Sequence, residues 1–113
     1  MTVRRAVPAD TPALRAMMAG SNGYERPEAR AMIVAFAGGW SVSQSGHEVW
    51  VAEAGDAVVG FYALIPHGPD QELDLFFTGN EAQGTGLGRR LFEHMSQRAR
   101  ALGAVLVVIN SNP

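Results

Sequence analysis

A glycine-rich segment in the second half of the chain carries the clearest chemical signal. It lies between the apolar run Leu73–Phe77 and an amphipathic segment that ends at Leu102, and it reads Gln83-Gly84-Thr85-Gly86-Leu87-Gly88. Alternating glycines let a backbone turn its amide N–H groups toward one point, because no Cβ atom interferes. A helix that begins there adds unpaired N–H donors and the positive end of its dipole, and Arg89 and Arg90 lie in its first turns. This combination predicts a site for an anionic, phosphorylated ligand.

Length and composition limit the possible functions. A chain of 113 residues is large enough for one core, so we expect a single domain over residues 1–113. Cysteine is absent, which excludes thiol nucleophiles, disulfides and thiolate metal sites. All nine basic residues are arginine, so no lysine amine is available as a base, and a net charge of −2 gives no general attraction to nucleic acid or membranes. The N-terminus leads into no apolar signal region, and we therefore expect a cytoplasmic location.

The apolar patterns and the turn residues predict an alternation of strands and helices. In chain order we expect a strand, two helices, three strands, a helix and a strand, at Val3–Val7, Asp10–Gly20, Pro27–Gly39, Glu48–Ala54, Ala57–Ile65, Glu72–Phe77, Thr85–Leu102 and Val105–Ile109. Short turns make the three middle strands antiparallel, and the helical crossover makes the last two strands parallel. The predicted fold class is therefore mixed α/β, with a central mixed β-sheet flanked by helices.

Periodicity also predicts which side chains face the core. On the strand Glu72–Phe77, simple alternation puts Leu73, Leu75 and Phe77 on one face and Glu72, Asp74 and Phe76 on the other. On the last helix the expected buried stripe is Leu91, Met95, Ala99 and Leu102. The second helix carries apolar residues that include Ala31, Met32, Val34, Ala35 and Phe36.

Two familiar phosphate-binding loops do not fit the glycine-rich segment. The nucleoside-triphosphate loop needs Gly-Lys-Ser/Thr after its glycines, and here the sequence is Gly-Arg-Arg. The dinucleotide fingerprint needs Gly-x-Gly-x-x-Gly, but Arg89 stands where the third glycine belongs. The glycines would alternatively serve only to allow a tight turn between strand and helix, although one or two would suffice for that.

The segment and its surroundings resemble the GNAT superfamily of acyl-CoA-dependent N-acetyltransferases. The family's signature Gln/Arg-x-x-Gly-x-Gly/Ala matches the segment from Gln83 to Gly88. The preceding Glu72-Leu-Asp-Leu-Phe-Phe77 is similar to the family's fourth strand, and Leu87–Met95 is similar to its cofactor helix. Upstream, Val51–Phe61 resembles its antiparallel hairpin. The resemblance extends over nearly the whole chain.

The resemblance implies a cofactor site and an activity. It implies that backbone groups of Phe76, Phe77 and Thr78 pair with the pantetheine arm of acetyl-CoA. It also implies that amides of the glycine-rich segment surround the pyrophosphate, with Arg89 nearby. The implied reaction moves an acetyl group from acetyl-CoA, as cosubstrate, to a primary amine on a small molecule or a peptide by direct attack. In the loop between the first two helices, Tyr24 and Arg26 are candidates for lining the acceptor site. The alternative is a non-catalytic CoA-binding or interaction module.

Acetyl transfer needs a base for the attacking ammonium and stabilisation of the leaving thiolate. Glu72 is the first candidate base because it matches a base glutamate of the family's protein-acetylating branch, and Asp74 is the second. Both would otherwise be solvated strand residues, with the proton leaving through water. Tyr62 is a candidate acid, although a tyrosine at this position is also a typical core residue. The three histidines lie at no metal-ligand spacing, so we expect no metal site.

The resemblance changes at the last residues. In the family, the strand that matches Val105–Ile109 leads into Asn-x-x-Ala-x-x-Phe-Tyr, a short helix and a final hairpin, whereas here the sequence ends with Asn112-Pro113. We therefore expect an incomplete domain that lacks the C-terminal helix and strands, with Asn112 as the last candidate cofactor residue. The strand Val105–Ile109 would then expose an apolar edge, which predicts a homodimer.

Overall fold

The structure is a computed structural model, and it describes residues 1–44 and 46–109. A five-stranded sheet forms its centre, with strand order β1-β2-β3-β4-β5. The strands are β1 Thr2–Arg5, β2 Glu48–Ala54, β3 Ala57–His67, β4 Asp70–Thr78 and β5 Val107–Ile109. The helices are α1 Thr11–Ala19, α2 Pro27–Gly39 and α3 Leu87–Ala101, and short 3-10 turns occupy Pro8–Asp10, Asn22–Tyr24 and Asn80–Ala82.

The sheet is mixed, as predicted. Strands β1 to β4 pair antiparallel in sequence order, and β5 pairs parallel with β4 after the α3 crossover. The β2–β3 hairpin turns at Gly55, whose φ of 62° is a conformation that favours glycine. Strand β3 continues through Pro66 and His67, where we expected it to end, because these residues still pair with Gln71 and Asp70 of β4. The predicted fold class is confirmed.

Each face of the sheet covers its own hydrophobic cluster. Helices α1 and α2 pack on one face, which we call the α1–α2 face, where the buried residues include Leu14, Met18, Ile33, Ala37, Trp40, Val51 and Phe61. Helix α3 packs on the other face, the α3 face, where they include Ala52, Tyr62, Leu64, Leu87, Leu91, Met95 and Ala99. Gly60 of β3 allows α3 to come close, since a Cβ at this position would lie 3.2 Å from a methyl group of Leu91.

A β-bulge in β4 breaks the alternation that we predicted for this strand. Ala63 of β3 pairs with Leu75 and Leu64 pairs with Leu73, so Asp74 is an extra residue in the ladder. As a result Leu73 packs on the α3 face, whereas Leu75 and Phe77 pack on the α1–α2 face. The prediction that all three side chains share one face was wrong for Leu73. An inserted residue shifts the alternation by one position, so side chains on the two sides of the bulge no longer follow the same pattern.

The prediction that Leu102 is buried was wrong, and the last strand is shorter than predicted. In α2 the buried residues are Ile33 and Ala37, while Met32, Val34 and Phe36 are 66%, 48% and 46% exposed. In α3 the buried stripe begins at Leu87 and ends at Ala99, so that Leu102 is exposed. The last strand is shorter than expected, and exposed side chains precede and form it, including Val105, Leu106 and Ile109. Within residues 1–44 and 46–109, no helix is both long and apolar enough to cross a membrane.

Candidate active site

An open groove of about 1110 Å³ runs along β4 on the α1–α2 face of the sheet. Its floor is the stretch from Leu73 to Thr78, and its far wall is the segment from Ser21 to Arg26 together with α2. Gln83 of the glycine-rich segment lines the groove, as does Ile109 of β5. Tyr24 and Arg26, which we expected near an acceptor, both line it. The groove therefore connects the candidate phosphate loop with the strand that precedes it.

One edge of β4 is paired over only part of its length in the described residues. Strand β5 pairs with β4 from Gln71 to Leu73 and ends at Ile109. The residues that follow on β4, from the bulge to Thr78, pair with β3 on the other side. Because strand backbone groups alternate between the two neighbours, part of this stretch points its N–H and C=O groups at the groove edge.

The alternation along β4 can be read from one hydrogen bond. The Gly79 N–H donates to the Val59 carbonyl at 2.8 Å, so Gly79 faces β3 with its backbone. Two residues earlier, Phe77 faces β3 as well, and Phe76 and Thr78 face the open edge. Of the three residues that the resemblance implies for the pantetheine arm, Phe76 and Thr78 have outward backbone groups. Phe77 does not, because its amide and carbonyl belong to the ladder with Phe61.

The side chain of Phe77 forms an aromatic floor for the groove instead. Its ring stacks on Phe61 at a centroid distance of 5.6 Å and on Tyr24 at 6.1 Å. Phe61 in turn packs against Trp40 at 5.8 Å. This row links the core of the sheet to the segment between α1 and α2, and so it fixes the position of the groove's far wall relative to β4.

The glycine-rich segment forms a tight turn into α3. Gly84 and Gly86 have φ of 82° and 85°, a region that favours glycine, and a Cβ added to either would meet no atom within 4 Å. Gly86 is the residue before α3, which begins at Leu87 and not at Thr85 as predicted. Gly88 lies inside the helix, with no atom near an added Cβ. The backbone of this loop is thus open to a ligand at the positions where glycine is required.

The amides at the start of α3 are suited to an anion. The first hydrogen bond of α-helical type in α3 joins the Arg90 N–H to the Gly86 carbonyl. The N–H groups of Gly88 and Arg89 precede it and have no intrahelical partner. The Leu87 N–H is 3.4 Å from the Thr85 hydroxyl, which itself donates to the Ala82 carbonyl. The side chain of Arg89 is exposed beside these amides, and that of Leu87 is buried, so that Leu87 offers only its backbone.

The two predicted bases occupy different environments. Glu72 pairs with Ile65 on one side and with Val108 on the other, and its carboxylate is 3.6 Å from His67 Nδ1. It is not among the residues that line the groove. Asp74 lies at the bulge, lines the groove and keeps 24% of its side chain exposed. The groove therefore contains the second candidate, Asp74, and not the first.

Sequence reasoning missed the partner of Asp74. His47 Nε2 lies 3.0 Å from Asp74 Oδ2, although the two residues are 27 positions apart. The His47 side chain is only 9% exposed, and its Nδ1 atom is buried without a partner among the described residues. His47 precedes β2 in a polar stretch, and no spacing in the sequence connects it with Asp74. Only the pairing of β2 with β3 and of β3 with β4 brings them together.

A known protein family matches the second half of the chain. The sequence model described as "Acetyltransferase (GNAT) domain" matches residues 45–113, which is more than half of the chain. The chain belongs to the GNAT acetyltransferase family. A search of curated proteins gave no match.

Solved structures share the GNAT fold with this chain. A GCN5-related N-acetyltransferase from Rhodopseudomonas palustris has a TM-score of 0.81 and 20% identity, over 98% of this chain and 72% of that one. A ribosomal-protein-alanine N-acetyltransferase from Brucella melitensis has a TM-score of 0.73 and 14% identity, over 99% and 81%. An acetyltransferase from Vibrio fischeri has a TM-score of 0.70 and 17% identity, over 96% and 94%. At these identities the likeness shows the fold alone.

Tyr62, the candidate acid, lies away from the GNAT groove. Its side chain is fully buried on the α3 face, and its hydroxyl is 2.8 Å from His94 Nδ1. Burial raises the pKa of Tyr62 well above its ordinary value, which makes the hydroxyl a poorer proton donor. The sheet lies between this hydroxyl and the groove on the α1–α2 face, which favours the alternative that Tyr62 is a core residue. Burial lowers the pKa of His94, and Arg98 lowers it further.

The remaining expectations concern ligands. The described residues contain no cluster of three or more histidine, aspartate or glutamate side chains able to hold a metal ion. Acidic side chains outnumber basic ones along the groove, with Glu25, Glu28 and Asp74 against Arg26. Asn112 lies outside the described residues.

Proposed function

We propose that this GNAT protein transfers the acetyl group of acetyl-CoA to a primary amine by direct attack. The observation that carries the proposal is the continuity of one groove. Phe76, Thr78 and Asp74 line this groove together with Gln83, the first residue of the glycine-rich segment, and the turn at Gly84–Gly86 leads from Gln83 into α3. These are the groups that a nucleotide-linked thioester and an amine would need.

The fit to acetyl-CoA follows from the donors along the groove. The pyrophosphate would lie against the amides of Gly88 and Arg89, where the helix dipole and the Arg89 side chain favour negative charge. The pantetheine amides would pair with the outward backbone groups of Thr78 and Phe76. From Thr78 to Asp74 the strand extends about 13 Å, so an arm running away from the phosphates along this edge brings its thioester close to Asp74.

In the proposed reaction, Asp74 accepts a proton from the ammonium form of the acceptor. The amine nitrogen then attacks the thioester carbonyl, the C–N bond forms, and the C–S bond breaks. The proton that the nitrogen loses goes to the departing thiolate, and the proton on Asp74 leaves to solvent through the open groove. No covalent enzyme intermediate is required, and the chain has no cysteine to form one.

The acidic side of the groove supports an amine acceptor. At neutral pH amines are cations, and a groove with more carboxylates than guanidinium groups attracts them. Met32 and Phe36 contribute exposed apolar surface to the same wall, which suits the hydrocarbon part of an amine. Small amines and peptide amines both remain within this class.

Calorimetric titration with acetyl-CoA tests the proposal, with acetyl-pantetheine as the comparison. We expect micromolar binding of acetyl-CoA and much weaker binding of acetyl-pantetheine, which lacks the pyrophosphate. Absence of binding by a folded sample would refute the site. Turnover of an amine by the same sample then separates a transferase from the alternative, a CoA-binding module without catalysis.

Two further expectations stay predictions. The homodimer would use the exposed apolar side chains near β5, such as Val105 and Ile109, and light scattering at micromolar concentration tests it. A purely monomeric sample would count against it. The cytoplasmic location can be checked by fractionation.

A further inference from the structure

We infer that His47 is a positioning residue, whose imidazole holds Asp74 so that one carboxylate oxygen faces the incoming amine. The inference rests on the proposed function, because it assigns Asp74 a role in that reaction. It adds a residue to which neither the family match nor the glycine-rich signature points. Its basis is the contact between His47 and Asp74 and the place of that contact in the groove.

The two side chains lie at different depths, with Asp74 at the groove surface and His47 buried behind it. Asp74 lines it and is 24% exposed, whereas His47 is 9% exposed and contacts the carboxylate through Nε2. The contact uses Oδ2 of Asp74 at 3.0 Å. Oδ1 of Asp74 makes no hydrogen bond to the described residues, so it is the oxygen left for an acceptor.

The surroundings of the imidazole select one tautomer. With the proton on Nε2, the ring N–H donates to the carboxylate, and Nδ1 remains an acceptor without a partner among the described residues. With the proton on Nδ1, two acceptors would face each other at 3.0 Å and a buried N–H would lack a partner, which is the more costly arrangement. His47 is therefore a hydrogen-bond donor to Asp74. It keeps this proton during the reaction, while Oδ1 receives the proton of the ammonium.

The bulge explains why Asp74 needs such a partner. An extra residue in a strand is left out of the regular ladder, and its side chain is not held by cross-strand neighbours in the usual way. A base that samples several rotamers is in position only part of the time, and misplacement of a reacting group by about 1 Å can cost about 100-fold in rate. The hydrogen bond from His47 restricts Asp74 to one orientation.

Steady-state kinetics with a double-mutant cycle tests this role in the full chain. Asp74→Asn should lower kcat by about 100-fold or more, as expected for loss of a general base. His47→Phe keeps the ring volume without a donor and should lower kcat by about 10-fold, with the acetyl-CoA dissociation constant unchanged. His47→Gln, which can still donate an N–H, should recover most of that loss. The double variant should be no slower than Asp74→Asn alone, because His47 acts only through Asp74.

A purely structural role for His47 gives a different pattern. It would lower the melting temperature while leaving kcat of the folded protein unchanged, or its effect would multiply with that of Asp74→Asn. Either result would overturn the inference.

A measurement without turnover separates this inference from the proposed function. Nitrogen-15 NMR of the imidazoles in wild-type protein should show a proton on Nε2 of His47, with a resonance that moves in Asp74→Ala. An unprotonated Nε2, or a resonance that does not move, would overturn the inference even if acetyl-CoA binds. Failure of acetyl-CoA to bind wild-type protein, with the expected NMR result, would refute the proposed function and leave the His47–Asp74 contact established.

Discussion

The side-chain amide of Asn80 joins the two loops that border the groove. Its Nδ2 donates to the Gly20 carbonyl at 2.8 Å, and its Oδ1 accepts from the Asn22 N–H at 3.1 Å. Asn80 precedes the glycine-rich turn, whereas Gly20 and Asn22 begin the segment that forms the far wall. Arg30 of α2 donates to the Ser21 carbonyl at 2.8 Å and supports the same segment from the other side. One side chain therefore joins the loop before the glycine-rich turn to the far wall of the groove, where we propose that the acceptor binds.

Replacing Asn80 should loosen the acceptor side. In Asn80→Ala both hydrogen bonds are lost, which should cost about 1 kcal/mol of stability because both are exposed. The KM for the amine should rise several-fold, by more than the dissociation constant of acetyl-CoA. Glu81→Ala, in the same 3-10 turn, is the control and should change neither the KM for the amine nor the dissociation constant of acetyl-CoA. Equal effects of the two variants on the amine KM would contradict the role of Asn80.

Gly86 should be required for cofactor binding beyond its effect on stability. A valine at this position must adopt a φ near 85°, which costs about 1–2 kcal/mol, and its side chain would enter the space that we assign to the pyrophosphate. Gly86→Val should therefore lose acetyl-CoA binding in calorimetry.

The hairpin glycine Gly55 provides a matched control for that experiment. Its φ of 62° is also positive, and an added Cβ would meet nothing within 4 Å. Gly55→Val should lower the free energy of unfolding by a similar amount and keep the affinity for acetyl-CoA. Unchanged affinity in a folded Gly86→Val variant would refute the assignment of the loop.

The outward backbone of Thr78 can be tested with proline. Because the Thr78 N–H faces the open edge and not β3, Thr78→Pro removes a donor from the groove and leaves the β3–β4 ladder in place. Acetyl-CoA affinity should fall, and by more than in Thr78→Ala, which retains the N–H. Phe77→Pro should instead unfold the sheet, as circular dichroism would show. The reverse pattern would mean that the alternation along β4 is misassigned.

Stability should fall in weak acid because of His94. Its pKa lies below the ordinary value of 6.5, through burial and then the nearby Arg98 cation. As pH drops through about 6.5 the unfolded chain binds a proton that the folded chain does not, so the free energy of unfolding decreases, by at most about 1.4 kcal/mol per pH unit. The decrease from this group stops below the lower, folded pKa.

Denaturant unfolding between pH 7.5 and 5 tests this expectation. His94→Gln should lower stability at every pH, since the contact with Tyr62 changes, but it should flatten the slope in this window. An equal slope in wild-type and variant protein would show that another group is responsible.

Local patterns in the sequence were sufficient for most of the architecture. Gly55 between two apolar runs indicated the β2–β3 hairpin, and the segment around Gly86 indicated the turn into α3; both are confirmed. Such features depend on a few adjacent residues, because backbone conformation at a turn or a helix start is decided locally. The order of elements then limited the sheet to a mixed topology.

Periodicity failed where non-local pairing changed the pattern. Because of the bulge at Asp74, Leu73 packs on the face of the sheet opposite to the one predicted. In α2, Ile33 packs in the core, whereas Met32 and Phe36 are exposed at the groove wall. Neither result follows from hydrophobicity alone, since the neighbours that decide it come from distant parts of the chain.

The sequence by itself determined the glycine-rich turn into α3, because amide donors and glycine conformations are properties of one short segment. Only the tertiary structure decided which carboxylate faces the groove and which residue supports it. The resemblance ranked Glu72 above Asp74, but in the structure Glu72 pairs with β5, whereas Asp74 lies at the bulge and lines the groove. His47 contacts Asp74 because β2, β3 and β4 are neighbours in the sheet. Tyr62 lies on the α3 face, opposite to the groove. Side chains from distant segments meet only when the whole sheet has formed.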